Sequence, residues 1–239
     1  MKTSSQINNR QNELLSKELQ SLIETIGITE KMHQDTYLFH QEMNASKIYL
    51  VKSGLVQIEK LLDDGKMLTL RLCTSDDLIG GLAVFKNNQK YLQNAKVLKS
   101  GEVLVIDVTA LQKELMQNSA LSFDFMNIVS NEMNKNQYKF RDFLLKGKKG
   151  ALYSTLIRLS NSYGITQNDG ILIDLFLTNQ EMAQLCFSTR ETVNRTLANL
   201  RKKDIISIKK SGKILIKDIE FLRNKIDCER CPIDICNIN

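Results

Sequence analysis

The chain has 239 residues, 42% hydrophobic and 25% charged, a composition that is ordinary for a globular protein and leaves room for two domains. No run approaches the roughly 18 apolar residues of a membrane span, and the polar opening MKTSSQINNRQNE lacks the apolar core of a signal peptide, so we expect a cytoplasmic protein without a membrane partner. The net charge of +6 is uneven, because residues 1–145 hold 17 basic and 17 acidic groups whereas residues 146–217 hold 13 and 5, a local excess that is typical of nucleic-acid binding.

Residues 1–118 are predicted to form an antiparallel β-roll or sandwich that follows a short helix. The helix is indicated within residues 1–20 by apolar residues at helical spacing: Leu14, Leu15 and Leu19. Between residues 37 and 107, short runs such as Val56 to Glu59 alternate apolar and polar side chains, as strands do. Turn signals separate these runs at Ser53-Gly54, Asp64-Gly65 and Ser100-Gly101.

A short helix over residues 107–117 is followed by a predicted long helix over residues 119–146. Its apolar residues recur at steps of three and four: Leu121, Phe125, Ile128, Val129, Met133, Phe140, Phe143 and Leu144. The stripe is too narrow for full burial, and it suits either pairing with a second copy or packing on the β-rich domain. We favour a homodimer seam, because a helix of about 25 residues spans about 37 Å, close to the 34–36 Å (about one DNA turn) between recognition helices of DNA-bound dimers.

The composition changes at residues 146–150, KGKKG, which we interpret as a flexible basic hinge and a domain boundary. The elements beyond it are a helix, a turn, a strand and a hairpin wing: residues 151–163, 168–170, 171–175 and 205–216. The wing carries the basic turn KKSGK, whose lysines are placed for phosphate contact. The sequence therefore predicts an α+β protein in which residues 147–217 form a winged helix-turn-helix domain and residues 218–239 a C-terminal helix and tail.

Residues 178–203 carry the helix-turn-helix pattern itself. Thr178 stands three residues before Glu181, and Ser188 three before Glu191, so each pair can form the capping box of a helix start. The second helix has an apolar face and a polar face: Val193, Leu197 and Leu200 inward, and Arg190, Glu191, Asn194 and Arg195 outward. Arginine matches the two acceptors of guanine, and glutamate accepts from the cytosine amine, so the polar face can read bases in the major groove.

Four further residues complete the predicted DNA-binding set: Thr178, Ser188, Thr189 and Lys203. Lys203 ends a run of three cations at the end of the helix, where phosphate contacts fix register without carrying sequence information. The alternative is an ordinary solvated helix pair, and the basic charge alone would also suit an anionic membrane surface.

Three of the five cysteines fall within the tail: Cys228, Cys231 and Cys236. An odd number of cysteines in a cytosolic chain argues against a disulfide framework. Zinc takes four ligands, and the two histidines, His33 and His40, belong to the β-rich domain. Iron–sulfur sites use closely spaced cysteines with a following proline, and Pro232 follows Cys231. The spacing leaves open a cluster, a zinc site or a tail that binds no metal.

From Thr178 to Arg195 the chain resembles, without a gap, the DNA-reading motif of the Crp/Fnr family of bacterial transcription regulators, whose recognition helix carries Arg-Glu-x-x-x-Arg. Those residues are Arg190, Glu191 and Arg195 here, whereas Phe187 occupies a turn position where the family often has glycine because the backbone tends toward positive φ. The resemblance implies a homodimer that binds double-stranded DNA at an inverted repeat of TGTGA-like half-sites, with RNA polymerase as a partner.

The β-rich domain resembles the sensor domain of the same family, with departures at the ligand site. The comparison covers the segment from Gly80 to Glu102. Nucleotide-binding members have a glutamate directly after the glycine that corresponds to Gly80, and an Arg-Ser pair that begins eleven residues beyond that glycine. Here those positions are Gly81, Tyr91 and Leu92. A buried cyclic phosphate would lack its charge partner, which costs several kcal/mol, so we expect no cyclic nucleotide.

With its cysteines spaced Cys-x₂-Cys-x₄-Cys at the end of the chain, the whole sequence resembles the Gram-positive branch of the FNR oxygen-responsive regulators. The resemblance implies an anaerobic regulator that is not an enzyme and that holds one 4Fe-4S cluster by Cys228, Cys231, Cys236 and Asp142. Such a cluster would tie the tail to the long helix before the hinge. Without the resemblance, Asp142 is interpreted as an exposed acid beside Arg141 and Lys146. Cys73 and Cys186 are predicted to be structural.

Two alternatives remain for the function. The first is a Crp-like regulator that senses a small molecule in the β-roll and binds zinc in its tail. The second is a redox carrier, which would normally have a fully cysteine-ligated cluster and which leaves the DNA-binding pattern unexplained.

Overall fold

The computed structural model describes residues 15–85 and 89–239. The chain divides into two compact units, one of residues up to Glu132 and a second over Met133–Ile238. Leu14 and most of the helix predicted within residues 1–20 lie outside the described residues.

The first unit is an antiparallel β-roll with helices around it, as the sequence predicts. Its helices are α1 (Lys17–Ile26), α2 (Val108–Gln117) and the first part of α3 (Ser119–Tyr163). Its strands are β1 (Ile28–Met32), β2 (Tyr37–Phe39), β3 (Lys47–Leu61), β4 (Met67–Cys73), β5 (Leu78–Ile79) and β6 (Asn94–Asp107). They pair in the order β1-β6-β3-β4, with β2 also on β6 and β5 also on β3. A short 3₁₀ helix follows β5 at Gly81–Phe85.

The first turns of α3 pack into the core of this unit, which corrects part of the predicted dimer seam. Leu121, Phe125 and Ile128 are 9%, 0% and 7% exposed and belong to the same hydrophobic core as the strands. For these residues the packing alternative is right, because they are buried in the same core as the strand residues. The exposed apolar residues of α3 are instead Phe123, Met126, Met133, Phe140 and Leu144.

Helix α3 is interrupted at Gly147, where φ is 60° and ψ is −176°. Glycine adopts this left-handed φ readily because it has no Cβ. The interruption lies within the predicted hinge and separates residues 119–146 from residues 148–163. The compact units divide earlier, between Glu132 and Met133, because the last helical turns before Gly147 contact residues of the second unit such as Arg158 and Phe187.

The second unit is a winged helix. It contains α4 (Asn179–Leu185), α5 (Arg190–Lys202) and α6 (Ile219–Lys225), with strands β7 (Gly164–Gln167), β8 (Gly170–Ile173), β9 (Ile206–Ile208) and β10 (Ile214–Ile216). The strands form one antiparallel sheet in the order β7-β8-β10-β9. The β9–β10 hairpin confirms the predicted wing. Strand β7 was not predicted, because its sequence Gly-Ile-Thr-Gln has a single apolar residue and shows no alternation. No helix of the described residues is long and apolar enough to span a membrane.

Candidate nucleic-acid interface and cysteine pocket

The start of α4 has the predicted capping box. The Thr178 backbone N–H donates to the Glu181 carboxylate at 2.6 Å, and the Glu181 backbone N–H donates to Thr178 Oγ1 at 3.2 Å. Two donors that the helix cannot satisfy internally are therefore bonded, which fixes where α4 begins.

The second predicted capping box, between Ser188 and Glu191, is wrong. Helix α5 begins at Arg190, and its cap is Thr189, whose Oγ1 accepts from the Thr192 N–H at 3.2 Å. The helix starts one residue later than the prediction requires, so the third helical position is Thr192 and not an acid. Ser188 Oγ is buried and has no hydrogen-bond partner among the described residues. Glu191 lies in the exposed first turn of α5.

The turn between α4 and α5 places Phe187 at a φ of 51°. A left-handed conformation costs a non-glycine residue about 1–2 kcal/mol. The Phe187 ring meets the Phe143 ring of α3 edge to face, with the centroids 4.2 Å apart. Such a pair contributes about 0.5–1.5 kcal/mol beyond its area burial. The aromatic contact therefore offsets part of the backbone cost of a bulky residue at this turn position.

The polar face of α5 is exposed as predicted. Arg190, Glu191, Asn194 and Arg195 are all exposed, whereas Val193, Leu197 and Leu200 are 0%, 4% and 1% exposed. Asn194 Oδ1 accepts a hydrogen bond from Asn179 Nδ2 of α4. The side chain of Asn194 is thus oriented by the neighbouring helix, a contact that the sequence did not reveal.

Basic residues lie at the end of α5, just beyond its exposed polar face, and in the wing. Lys203 caps α5, and its Nζ lies 5.6 Å from the centroid of the Phe221 ring. Two wing lysines and the lysine just after the wing are paired with acids of the same unit, Lys209 with Asp169, Lys213 with Asp174 and Lys217 with Asp204, at 3.1, 2.6 and 2.6 Å. Exposed pairs of this kind contribute little, so these lysines can exchange a carboxylate for a phosphate.

The three tail cysteines line one hollow of about 250 Å³ within the second unit. The lining residues are Ile157, Asn161, Arg223, Cys228, Arg230, Cys231, Ile233 and Cys236. Cys236 is 9% exposed, and Cys228 and Cys231 are half-buried. Within residues 15–85 and 89–239, no group of three or more His, Cys, Asp or Glu side chains is arranged to hold a metal ion. The thiols are thus neighbours around a common space that two arginines also line.

Asp142 is buried, so its interpretation as an exposed acid is wrong. It is 8% exposed. Its Oδ2 accepts from Ser154 Oγ at 2.6 Å and from Arg158 Nη2 at 3.0 Å, and its Oδ1 accepts from Arg141 Nη2 at 3.0 Å. Asp142 is not among the residues that line the hollow. Arg158 links the two, because its Nη1 donates to the carbonyl oxygen of Ile235, next to Cys236, at 3.1 Å.

Burial and charge act in opposite directions on the thiols. Burial raises the pKa of Cys236, and the nearby Arg158 guanidinium opposes that rise. Burial raises the pKa of Cys73 and of Cys186 to about 12, and both thiols are fully buried. A buried thiol with a raised pKa is unreactive, which agrees with the structural role expected for these two cysteines. Burial, followed by repulsion from Arg158, lowers the pKa of Lys139 to about 7.

Two of the residues at which the β-roll departs from the nucleotide-binding pattern are Tyr91 and Leu92, and Tyr91 is part of the packed core. Tyr91 is 7% exposed, stacks on Phe39 with a centroid distance of 3.7 Å, and donates its hydroxyl to the Lys47 carbonyl at 2.6 Å. Leu92 is 52% exposed. Neither Tyr91 nor Leu92 therefore offers a cation at these positions.

Sequence reasoning missed Ser154, Arg158 and Asn161 as members of the tail site. One signal was present: Arg158 interrupts an apolar run between Ile157 and Leu159, in a helix segment where Leu152, Leu156 and Leu159 are buried. A charged residue at a buried helical position requires a partner, but which residue is the partner cannot be read from local spacing.

Comparison with known proteins agrees with this architecture. Residues 150–225 match the model of the Crp-like helix-turn-helix domain, and residues 29–118 match that of the cyclic nucleotide-binding domain. The chain is 53% identical over 227 residues to the anaerobic regulatory protein of Bacillus subtilis, covering 95% of each chain. It is 26% identical over 201 residues to the lactate racemization regulatory protein of Lactiplantibacillus plantarum, covering 83% of this chain and 90% of that protein.

Two solved structures share the fold at lower identity. The regulator CLP of Xanthomonas campestris has a TM-score of 0.73 at 19% identity, over 85% of this chain and 100% of that one. FixK2 of Bradyrhizobium japonicum has a TM-score of 0.72 at 16% identity, over 83% of this chain and 96% of that one. These likenesses show the fold alone.

Proposed function

Because the chain belongs to the Crp/Fnr family of bacterial transcription regulators, we propose that it is an oxygen-responsive anaerobic regulator, a homodimer that binds an inverted DNA repeat and holds a 4Fe-4S cluster in its tail. The observation that carries this proposal is the hollow in the winged-helix unit, which Cys228, Cys231 and Cys236 line together. The relative from Bacillus subtilis, named an anaerobic regulatory protein, supports the same role.

The exposed face of α5 supports sequence-specific DNA binding. Arg190, Glu191 and Arg195 are exposed on a helix whose opposite face is buried. They can therefore enter the major groove while the buried face of the helix stays packed in the domain. Arginine can make bidentate contacts to guanine, and glutamate can accept from the paired cytosine; the family resemblance implies half-sites like TGTGA. RNA polymerase is the expected protein partner at a promoter that carries this inverted repeat.

The first prediction concerns base reading. Arg195→Ala should reduce operator affinity by about 1–3 kcal/mol and relax the preference at a single base pair of each half-site, because a bidentate contact is lost. Lys203→Ala is the matched control, since it should weaken all DNA sequences alike. Binding-site selection followed by anisotropy titrations measures both. Selection of no inverted repeat, or an unchanged preference in Arg195→Ala, would contradict the assignment.

The exposed apolar residues of α3 support a homodimer. Met126, Met133 and Phe140 recur every seven residues, and Phe123 and Leu144 fall on the neighbouring heptad position. All five are exposed, between 49% and 67%. A two-stranded coiled coil buries residues at these two heptad positions. The seam therefore consists of these five residues and not of the core residues Leu121, Phe125 and Ile128.

The second prediction tests the seam. Phe140→Asp should shift the protein toward monomer, because a carboxylate at a seam position would have to be desolvated, and operator affinity should fall about tenfold or more once two half-sites are no longer bound together. Met116→Asp is the control, since Met116 is 88% exposed on α2 outside the seam. Sedimentation velocity decides. A Phe140→Asp protein that remains dimeric would show that the seam lies elsewhere.

The tail residues fit a cluster chemically. Iron–sulfur clusters are ligated by thiolates that surround them, one on each iron, and three cysteines around a common hollow suit this arrangement. Arg223 and Arg230 line the same space and can offset the negative charge of the thiolates. The resemblance assigns the fourth ligand to Asp142, which in this structure lies outside the hollow and is bonded to Ser154 and Arg158. When bound, the cluster would supply a redox-active and oxygen-labile centre.

Anaerobic purification tests the proposed function as a whole. The protein should be brown, should lose its colour in air, and should lose operator affinity in parallel. Cyclic AMP should produce no binding heat, because the resemblance places Tyr91 and Leu92 at the Arg-Ser positions of nucleotide-binding members and neither supplies a cation. Colourless protein with one zinc per chain would instead favour the Crp-like regulator with a zinc-binding tail. Brown protein without affinity for any inverted repeat would favour a redox carrier.

A further inference from the structure

One face of α3 after Gly147 holds the cysteine tail by its main chain. Arg158 Nη1 donates to the Ile235 carbonyl at 3.1 Å, and Asn161 Nδ2 donates to the Cys236 carbonyl at 2.6 Å. Ser162 Oγ accepts from the Ile238 N–H at 3.0 Å. Arg158, Asn161 and Ser162 are three and four residues apart and therefore share one helix face. None of these bonds involves a thiol.

Arg158 extends in two directions from this face. It is 2% exposed. While Nη1 binds the tail, Nη2 donates to Asp142 Oδ2 at 3.0 Å, and Nε donates to Ser154 Oγ at 3.4 Å. Ser154 Oγ itself donates to the same Asp142 oxygen. The planar guanidinium has donors on several edges and can bind partners on opposite sides. Asp142 thus neutralises a buried cation that would otherwise be costly to keep there.

We propose that Arg158 is a positioning residue, which, while neutralised by Asp142, holds the Cys236 segment of the tail in place before any cofactor binds. The part of this inference that concerns the cofactor rests on the proposed function, whereas the part that concerns the tail does not. Asp142 would be the residue that holds iron, and the bonds from Arg158 to the Ile235 and Asn237 carbonyls do not involve that carboxylate.

Lysine cannot replace arginine in this role. A lysine ammonium is a single point of charge, whereas the guanidinium binds a carboxylate on one edge and carbonyl groups on another. Arg158→Lys therefore keeps the charge beside Asp142 but cannot make both sets of contacts. Arg158→Met removes both sets and keeps an unbranched side chain that can fill part of the space.

Thiol alkylation in reduced, cofactor-free protein tests the inference. The protein is treated with iodoacetamide, and the rate at each cysteine is followed by mass spectrometry. In wild type, Cys236 should react slowly because it is buried, and Cys73 and Cys186 should report on the integrity of the two units. In Arg158→Met, Cys236 should react about tenfold faster or more, because hydrogen bonds from a charged donor to the tail are lost. Arg201→Met is the control, an exposed arginine of the same unit.

The conservative variant separates a local effect from general unfolding. In Arg158→Lys, Cys236 should still react faster than in wild type while Cys73 and Cys186 stay protected. A wild-type rate at Cys236 in that variant, or in a folded Arg158→Met protein, would overturn the inference. So would exposure of Cys186 in both variants, because Arg158 would then support the whole domain and not the tail.

Anaerobic reconstitution with iron and sulfide adds an independent reading. Arg158→Lys should take up less iron than wild type, with a weaker visible absorption band. Wild-type protein that protects Cys236 but takes up no iron would refute the proposed cofactor and leave the docking role of Arg158 intact.

Discussion

Replacing any one of Cys228, Cys231 or Cys236 with serine is expected to abolish the iron and acid-labile sulfide of anaerobically prepared protein. The three thiols line one hollow, and a hydroxyl is a poor substitute for a thiolate at iron. Cys73→Ser and Cys186→Ser should retain both elements, because these thiols are fully buried outside the hollow. The three tail variants should therefore contain no iron or labile sulfide, whereas the two variants at Cys73 and Cys186 should contain the wild-type amounts.

Metal and sulfide analysis of all five variants provides the measurement, with circular dichroism as the check on folding. Cys73→Ser and Cys186→Ser serve as matched controls, since each makes the same chemical change at a buried site. One zinc per wild-type chain without labile sulfide would refute the cluster. Equal iron in the variant with serine at position 231 and in wild type would refute that ligand.

Local patterns predicted the winged helix well because they depend on neighbours in sequence. The spacing of Val193, Leu197 and Leu200 requires one buried face on a helix, and all three are buried. The capping box at Thr178 depends on a residue three positions away. The error at Ser188 is of one residue, because both Ser188 and Thr189 can cap a helix and only packing decides between them.

Contacts between distant residues could not be predicted in the same way. The stripe on α3 contains residues of two kinds, and its periodicity alone did not separate Phe125, which packs in the β-roll, from Phe140, which is exposed. One partner of Arg158, Asp142, lies sixteen residues earlier, across the helix break. Ser154 lies on the same helix segment as Arg158, and the remaining partners lie in the tail. The contact between Arg158 and Asp142 depends on how the chain changes direction at Gly147, which local spacing does not predict. The resemblance suggested Asp142 as a site residue but did not identify the residues around it.

The burial of Asp142 changes how its role must be tested. Its carboxylate is bonded to Ser154, Arg158 and Arg141. Breaking a buried ion pair by removing one partner costs about 3–5 kcal/mol, because an uncompensated charge is left behind. Asp142→Ala could therefore lose iron by destabilising the fold. Asp142→Asn keeps the size and one oxygen acceptor and removes the charge, so it provides the better comparison.

Asp142→Cys is expected to give a cluster that persists longer in air, and Asp142→Asn and Asp142→Ala to lose most of their iron, with operator affinity falling in parallel. An oxygen donor binds cluster iron less firmly than a thiolate, so the aspartate would leave one corner exchangeable and the cysteine would close it. Decay of the visible absorption in air measures this, with melting temperatures as the control for folding. If folded Asn and Ala variants keep the spectrum, the decay rate and the DNA affinity of wild type, then Asp142 acts only as the buried counter-charge of Arg158.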